Sequence, residues 1–219
     1  MGNSQRRYIF GYGSLIERES RLRTTPNAIE VMPAIIRGIS RGWRQEGAPI
    51  GFSATFLGAG IGDNESICNG VLYAATDDEL RLTDKREFKY ERTRIDPSSV
   101  TMLDGSQYPP EGELWSYAMK PTDYRPPTTR HPIVQSYLDI CMNGCLEVED
   151  EFPQAKAANF AELFITSTLD WSGYWVNDRL YPRRPFIYVP RAFAIDTLLQ
   201  KHLPALFDQI QLEPARWED

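Results

Sequence analysis

The sequence predicts a mixed α+β domain, and three observations carry that reading. Short runs of β-branched and aromatic residues bounded by glycine alternate with stretches of helical apolar spacing. No segment repeats another, and 42% hydrophobic with 25% charged residues is ordinary globular usage. A chain of 219 residues buries roughly 70% of its unfolded surface, so one domain spanning residues 1–219 needs neither disulfide nor metal to stay folded.

Tyr8-Ile9-Phe10 reads as a short buried strand that stops at Gly11-Tyr12-Gly13, where glycines permit backbone angles other residues resist. Ser14-Leu15-Ile16-Glu17 has the capping-box pattern that opens a helix or helical turn. Residues 34–38, 51–57 and 69–74 read as strands, with the glycine-rich residues 58–62 as a loop between the last two. Thr76-Asp77-Asp78-Glu79 is a second capping box, whose helix runs through Leu80, Thr83, Asp84, Glu87 and Phe88. Strands follow at 90–95 and 114–118, then a proline-rich connection at 120–127. Helices are expected at 132–142, ended by Asn143-Gly144, and at 153–164. A strand at 186–189 and a helix at 196–206, interrupted near Pro204, complete the chain.

Composition narrows the partners. With 24 Lys+Arg against 30 Asp+Glu the net charge is −6, which argues against nucleic acid and anionic membrane. Cys68, Cys141 and Cys145 are odd in number and lack C-x-x-C spacing, so they read as reduced thiols of a cytoplasmic protein. Two histidines, His131 and His202, give little material for a metal site, and each is assigned a structural role. Between Arg7 and Gly11 only three apolar residues stand, too few for a signal-peptide core, and no stretch approaches a membrane span.

Three readings of the first glycine loop stand side by side. Gly11-x-Gly13 after a strand, with Glu30 about twenty residues on, fits part of a dinucleotide fingerprint, but Ile16 replaces its third glycine. A plain tight turn is the second. The third is a nest of backbone N–H groups for a carboxylate, which suits an amino-acid substrate. A serine hydrolase is set aside, because Gly51-Phe52-Ser53-Ala54-Thr55 ends in threonine where the nucleophile elbow needs glycine.

Glu87 falls on one helical face with Leu80, Thr83 and Asp84. If that face is buried, low dielectric and the helix C-terminus both raise its pKa, as suits a general acid or base. If not, Glu87 is a surface acid paired with Lys85, Arg86 or Lys89. Arg92 and Arg94 on the next strand read as solvated. Trp43, Trp115, Trp171, Trp175 and Trp217 read as core, and Arg179, Arg183 and Arg184 beside Tyr181 as an anion-contacting loop or lid.

Two motifs then converge. Residues 8–16, YIFGYGSLI, resemble the signature loop of the gamma-glutamylcyclotransferase superfamily, its ChaC-like branch in particular, and residues 84–90, DKREFKY, are similar to the ChaC stretch in which Arg-Glu is followed closely by Tyr. Cys68-Asn69-Gly70-Val71-Leu72-Tyr73 resembles the family strand between them, so the resemblance covers about the first hundred residues. It implies a curved, partly closed, barrel-like sheet flanked by helices, and cyclisation of a γ-glutamyl group to 5-oxoproline. Glu87 is implied as the catalytic acid/base, with Gly11, Tyr12, Gly13, Ser14 and Leu15 binding substrate. Tyr90 would donate a further hydrogen bond, although it follows Glu87 one residue sooner than in the ChaC pattern. Neither cofactor nor metal is implied, and the partner is a small γ-glutamyl compound, glutathione first. Another γ-glutamyl amino acid or amine, or a non-catalytic binding protein of the same fold, are the alternatives.

Overall fold

The computed structural model describes residues 6–47, 54–183 and 191–212. Strand β1 (Arg7–Gly11) lies at the centre of a mixed sheet. It pairs antiparallel with β5 (Ile67–Ala75) and parallel with β8 (Glu113–Ala118), so Ile9 stands beside both Tyr73 and Trp115. Outside β5 come β2 (Met32–Arg37) and β7 (Val100–Met102). On the other side β8 leads to β4 (Ala54–Ile61), β3 (Ile39–Gly47) and the short β10 (Thr168–Leu169), while β6 (Glu91–Arg94) pairs with β8 off this path. A smaller parallel sheet joins β9 (Ile133–Val134), β11 (Trp175–Asn177) and β12 (Gln211–Leu212).

Successive side chains of β1 enter two different cores, as the period of two requires. Ile9 joins the larger cluster with Trp43, Leu57, Tyr73 and the helices, while Tyr8 and Phe10 join a second cluster with Ala34, Leu72 and Leu114. Burial on both faces is why the strand reads as an unbroken apolar run. The larger core is covered by α3 (Gln135–Glu151) and α5 (Phe160–Ser167), together with α6 (Ala192–His202). The smaller helices are α1 (Arg18–Leu22), α2 (Asp77–Arg86), α4 (Pro153–Ala157) and α7 (Pro204–Phe207).

The α+β class with a mixed sheet stands, and among the described residues the strand order runs from β10 to β7 with no ladder joining those edges, so the sheet is not a closed barrel. Four local expectations also change. Of the helix or helical turn read at Ser14, only a turn forms. α1 begins four residues later, capped by the Glu17 carboxylate, which accepts from the N–H groups of Glu19 and Ser20 at 3.0 and 2.6 Å. Residues 58–61 are strand, because Gly58 and Gly60 leave room for Met119 and Tyr124 to lie across β4. α3 continues through Asn143-Gly144 to Glu151, and the helix expected at 153–164 is broken by Asn159, which takes a left-handed conformation at φ 52°. β3 was not anticipated at all. The second capping box forms as read, with Thr76 and Glu79 bonding reciprocally, and stabilises α2 by about 1 kcal/mol. The expected strand at 186–189, residues 51–53, Arg184 and Trp217 lie outside the described residues.

Candidate active site

The site begins where the sheet divides. β8 bonds β1 over residues 113–115 and then meets β4 at Ala118 opposite Ala59, leaving a notch beyond the end of β1. Residues 12–16 turn in that notch, closed by a hydrogen bond from Ile16 N–H to Gly13 O at 3.0 Å. Tyr12 binds the division together: its buried hydroxyl donates to Tyr117 O at 2.7 Å and accepts from Ala59 N–H at 3.2 Å. Its hydroxyl is thereby committed to the sheet, and burial raises its pKa, reinforced by the charge of Glu87. The backbone N–H groups of Gly13, Ser14 and Leu15 find no acceptor among the described residues. Successive amides without a protein acceptor are the material from which anion-binding nests are built.

The two glycines serve this turn differently from expectation. Neither Gly11 nor Gly13 has a positive φ. What they supply is space, since a Cβ on Gly11 would stand 2.6 Å from Leu15 Cβ and one on Gly13 would stand 3.2 Å from the Tyr137 hydroxyl. The dinucleotide reading fails on topology: β1 and β2 are separated by β5, no helix opens directly after the loop, and Glu30 is exposed.

Glu87 arrives from α2. Its buried face carries Leu80 and Thr83, and Glu87 is the C-cap, its N–H bonded to Thr83 O at 2.8 Å. The Glu87 side chain is only 18% exposed, with the Arg86 guanidinium 3.2 Å from its Oε1. Burial pushes the carboxyl above the usual carboxylate range, and Arg86 opposes the rise. Arg86 also reaches the glycine loop and α1, donating to Ser14 Oγ at 3.2 Å and to Ser20 O at 2.8 Å.

Glu87 and the loop line the same small pocket, a cavity of about 40 Å³. Gly11, Tyr12, Gly13, Ser14, Leu15, Glu87 and Tyr90 all line it. Tyr90 donates its proton to Leu57 O at 2.9 Å, so toward a ligand its oxygen offers acceptor capacity rather than the donor expected from sequence. Four wall residues were missed: Phe10, Leu57, Tyr117 and Tyr137. Tyr117 donates to Asp84 at 2.7 Å. Tyr137 comes from α3, hydrogen-bonds the Leu57 backbone and packs edge-on to Phe56 at 4.9 Å. Its place in the buried i, i+4 row with Cys141 and Cys145 was visible in the sequence, but nothing local says which loop that row faces.

Other candidates lie elsewhere. Arg179 is no lid: its guanidinium is locked between Asp139, a fully buried carboxylate at 2.7 Å, and Asp196 at 2.7 Å. The Arg183 N–H donates to the buried Asp178, which also accepts from Ser136 N–H at the start of α3. Arg92 and Arg94 pair with Asp84 and Glu113 beside the Trp115 ring. His131 closes a turn through its carbonyl, and His202 bonds Glu162 at 2.9 Å. The three cysteines are free thiols in the interior. Among the described residues no helix is long and apolar enough to cross a membrane.

No family model and no curated protein matches the chain. A solved gamma-glutamyl cyclotransferase is similar over 77% of this chain and 92% of its own, with a TM-score of 0.55 and 15% sequence identity. An uncharacterized protein from Homo sapiens is similar over the same shares, with the same TM-score and identity. At that identity the likeness is one of architecture, and the chain has a gamma-glutamyl cyclotransferase-like fold.

Proposed function

We propose that the chain is a gamma-glutamylcyclotransferase that needs no cofactor. The observation that carries the reading is the meeting, in one pocket, of a partly buried carboxyl raised above its ordinary range and a turn with three backbone N–H groups that have no acceptor among the described residues. The chemistry is intramolecular. A γ-glutamyl group folds so that its α-amine approaches its own γ-carbonyl, an arrangement whose proximity alone supplies up to about 7–11 kcal/mol. The amine is an ammonium at neutral pH, so Glu87 takes one proton before attack. The nitrogen then bonds the γ-carbon and the carbonyl oxygen becomes an oxyanion; Glu87 passes its proton to the distal nitrogen as that C–N bond breaks, and the ring nitrogen gives its second proton to the regenerated carboxylate, from which solvent removes it. The products are 5-oxoproline and the free amine.

Each wall has a part in this scheme. The amides of Gly13, Ser14 and Leu15 hold the negative atoms of the glutamyl unit, the α-carboxylate or the developing oxyanion. The Tyr90 oxygen accepts from the ammonium and aims it. Gly11 and Gly13 keep the turn tight and the pocket open. The substrate we propose is glutathione, releasing Cys-Gly, on the ChaC-like character of the two motifs; the turn itself addresses only the glutamyl half, which other γ-glutamyl amino acids and amines share. The test is to incubate the purified protein with glutathione and a panel of γ-glutamyl amino acids and amines and to measure 5-oxoproline. Product from one of them supports the reading and names the leaving amine. Saturable binding without product from any would make the chain a binding protein of this fold.

A further inference from the structure

The turn rests on a buried cation that the proposed chemistry does not use. Arg41, from β3, is fully buried, yet no carboxylate lies in ion-pair range among the described residues. All of its partners are neutral. It donates to Tyr12 O at 3.0 Å, Asn69 O at 2.8 Å, Asn69 Oδ1 at 2.9 Å, Phe164 O at 2.9 Å, Ser167 Oγ at 3.0 Å and Thr168 Oγ1 at 2.8 Å, and it lies 3.9 Å over the Phe164 ring. Burying a guanidinium without a counter-charge is costly, and neutral or apolar groups can tie strands and helices together at less expense. Among the described residues nothing supplies its counter-charge, and an anion bound at the turn would.

Its placement says where that anion sits. Arg41 holds the carbonyl of the Tyr12–Gly13 peptide, and in a trans peptide the N–H points opposite to the carbonyl. The Gly13 N–H is thus turned away from Arg41, on a residue that lines the pocket. A second buried arginine, Arg21, holds the carbonyls of Leu15 and Ile16 at 3.2 and 2.8 Å, so the turn has its carbonyls drawn toward guanidinium groups at both ends. Among the described residues the cation paired with Glu87 is Arg86, whereas Arg41 bonds the turn through the Tyr12 carbonyl.

We infer that Arg41 is a positioning residue for an anionic ligand: from beneath the turn it fixes the Tyr12–Gly13 peptide with its N–H outward and gives that side of the pocket the positive charge that a bound α-carboxylate pairs with. The identity of the anion rests on the cyclotransferase reading, but the existence of the positive side does not.

The probes are 5-oxoproline and its neutral carboxamide, which differ only in the charge of the group to be recognised, with affinities measured by calorimetry at neutral pH. The wild type binds the acid about ten- to a hundredfold more tightly than the amide, the range of one charge-assisted contact. Arg41→Gln brings the ratio close to one while amide binding survives, and Arg41→Lys restores part of the preference. Asn69→Asp leaves Arg41 and its contact with Tyr12 in place but sets a carboxylate against the guanidinium, at the loss of the Asn69 bond to Phe160 O. It too lowers the ratio, which keeps the inference exposed to test if Arg41→Gln does not fold. Loosening of the structure alone would weaken both probes together. A wild type that does not distinguish acid from amide, or variants that keep the wild-type preference, would overturn the inference. Acid preference with no 5-oxoproline formed from any γ-glutamyl compound would sink the cyclotransferase reading and leave Arg41 standing; turnover without acid preference would do the reverse.

Discussion

Replacing Gly144 by alanine sets helix propensity against packing at a place where the two have opposite signs. In an exposed helix the exchange stabilises by about 1 kcal/mol. In α3 the new methyl would lie 2.7 Å from Glu17 Cα and 2.8 Å from the carbonyl carbon of Ile16, and nearer still to Glu17 N. These are backbone atoms, and they are held from the other side. Arg21 bonds the Ile16 carbonyl at 2.8 Å, and the Glu17 carboxylate caps α1. Overpacking a core costs about 1–3 kcal/mol, toward the upper end when backbone has to move, so the net loss is about 2 kcal/mol. For a chain of this size that lowers Tm by about 4–8 °C. Urea unfolding followed by circular dichroism should show a lower midpoint at unchanged m. A midpoint at or above that of the wild type would refute the reasoning, because propensity would then have outweighed the contact.

Three further outcomes follow from the site and its surroundings. Arg179→Ala leaves the buried Asp139 carboxylate unpaired and should cost about 3–5 kcal/mol in chemical denaturation, while KM stays unchanged; a raised KM with little loss of stability would return Arg179 to the site. Arg86→Gln removes the cation that opposes the burial of Glu87, so the acid limb of the kcat/KM profile should move to higher pH, and a limb that stays or moves down would contradict the assigned pairing. A carboxyl whose folded pKa is raised makes its protein less stable as pH climbs from the unfolded to the folded value, since the native state binds the extra proton in that window. Glu87→Gln should therefore be more stable than the wild type at neutral pH, by about 0.5–2 kcal/mol, with the gap narrowing in acid; a less stable variant at pH 7 would contradict the sign.

What the sequence revealed and what it concealed divide along a physical line. Tyr8-Ile9-Phe10 and the Thr76–Glu79 capping box are local patterns with local causes, and both form where they were read. Glycine is ambiguous in a way these are not. Gly58 and Gly60 read as loop and stand in a strand under Met119 and Tyr124; Gly144 reads as a helix end and stands mid-helix against Glu17. In each case the residue is small because another part of the chain passes close by, and a single sequence carries no record of that neighbour. The site divides likewise. Glu87 and the turn come from the first hundred residues and were assembled from two motifs, whereas Tyr137 closes the same pocket from α3. Arg41 drew no notice, because an arginine becomes informative only once its burial and the neutrality of its partners are known.

The account stands most directly on the proton carried by Glu87. Glu87→Gln keeps the shape of the side chain and removes its acid–base function, so 5-oxoproline formation from the best γ-glutamyl substrate should fall in kcat by about 10²–10⁴-fold, with KM nearly unchanged. A variant that forms 5-oxoproline at the wild-type rate would show that the carboxyl facing the glycine turn moves no proton in the reaction.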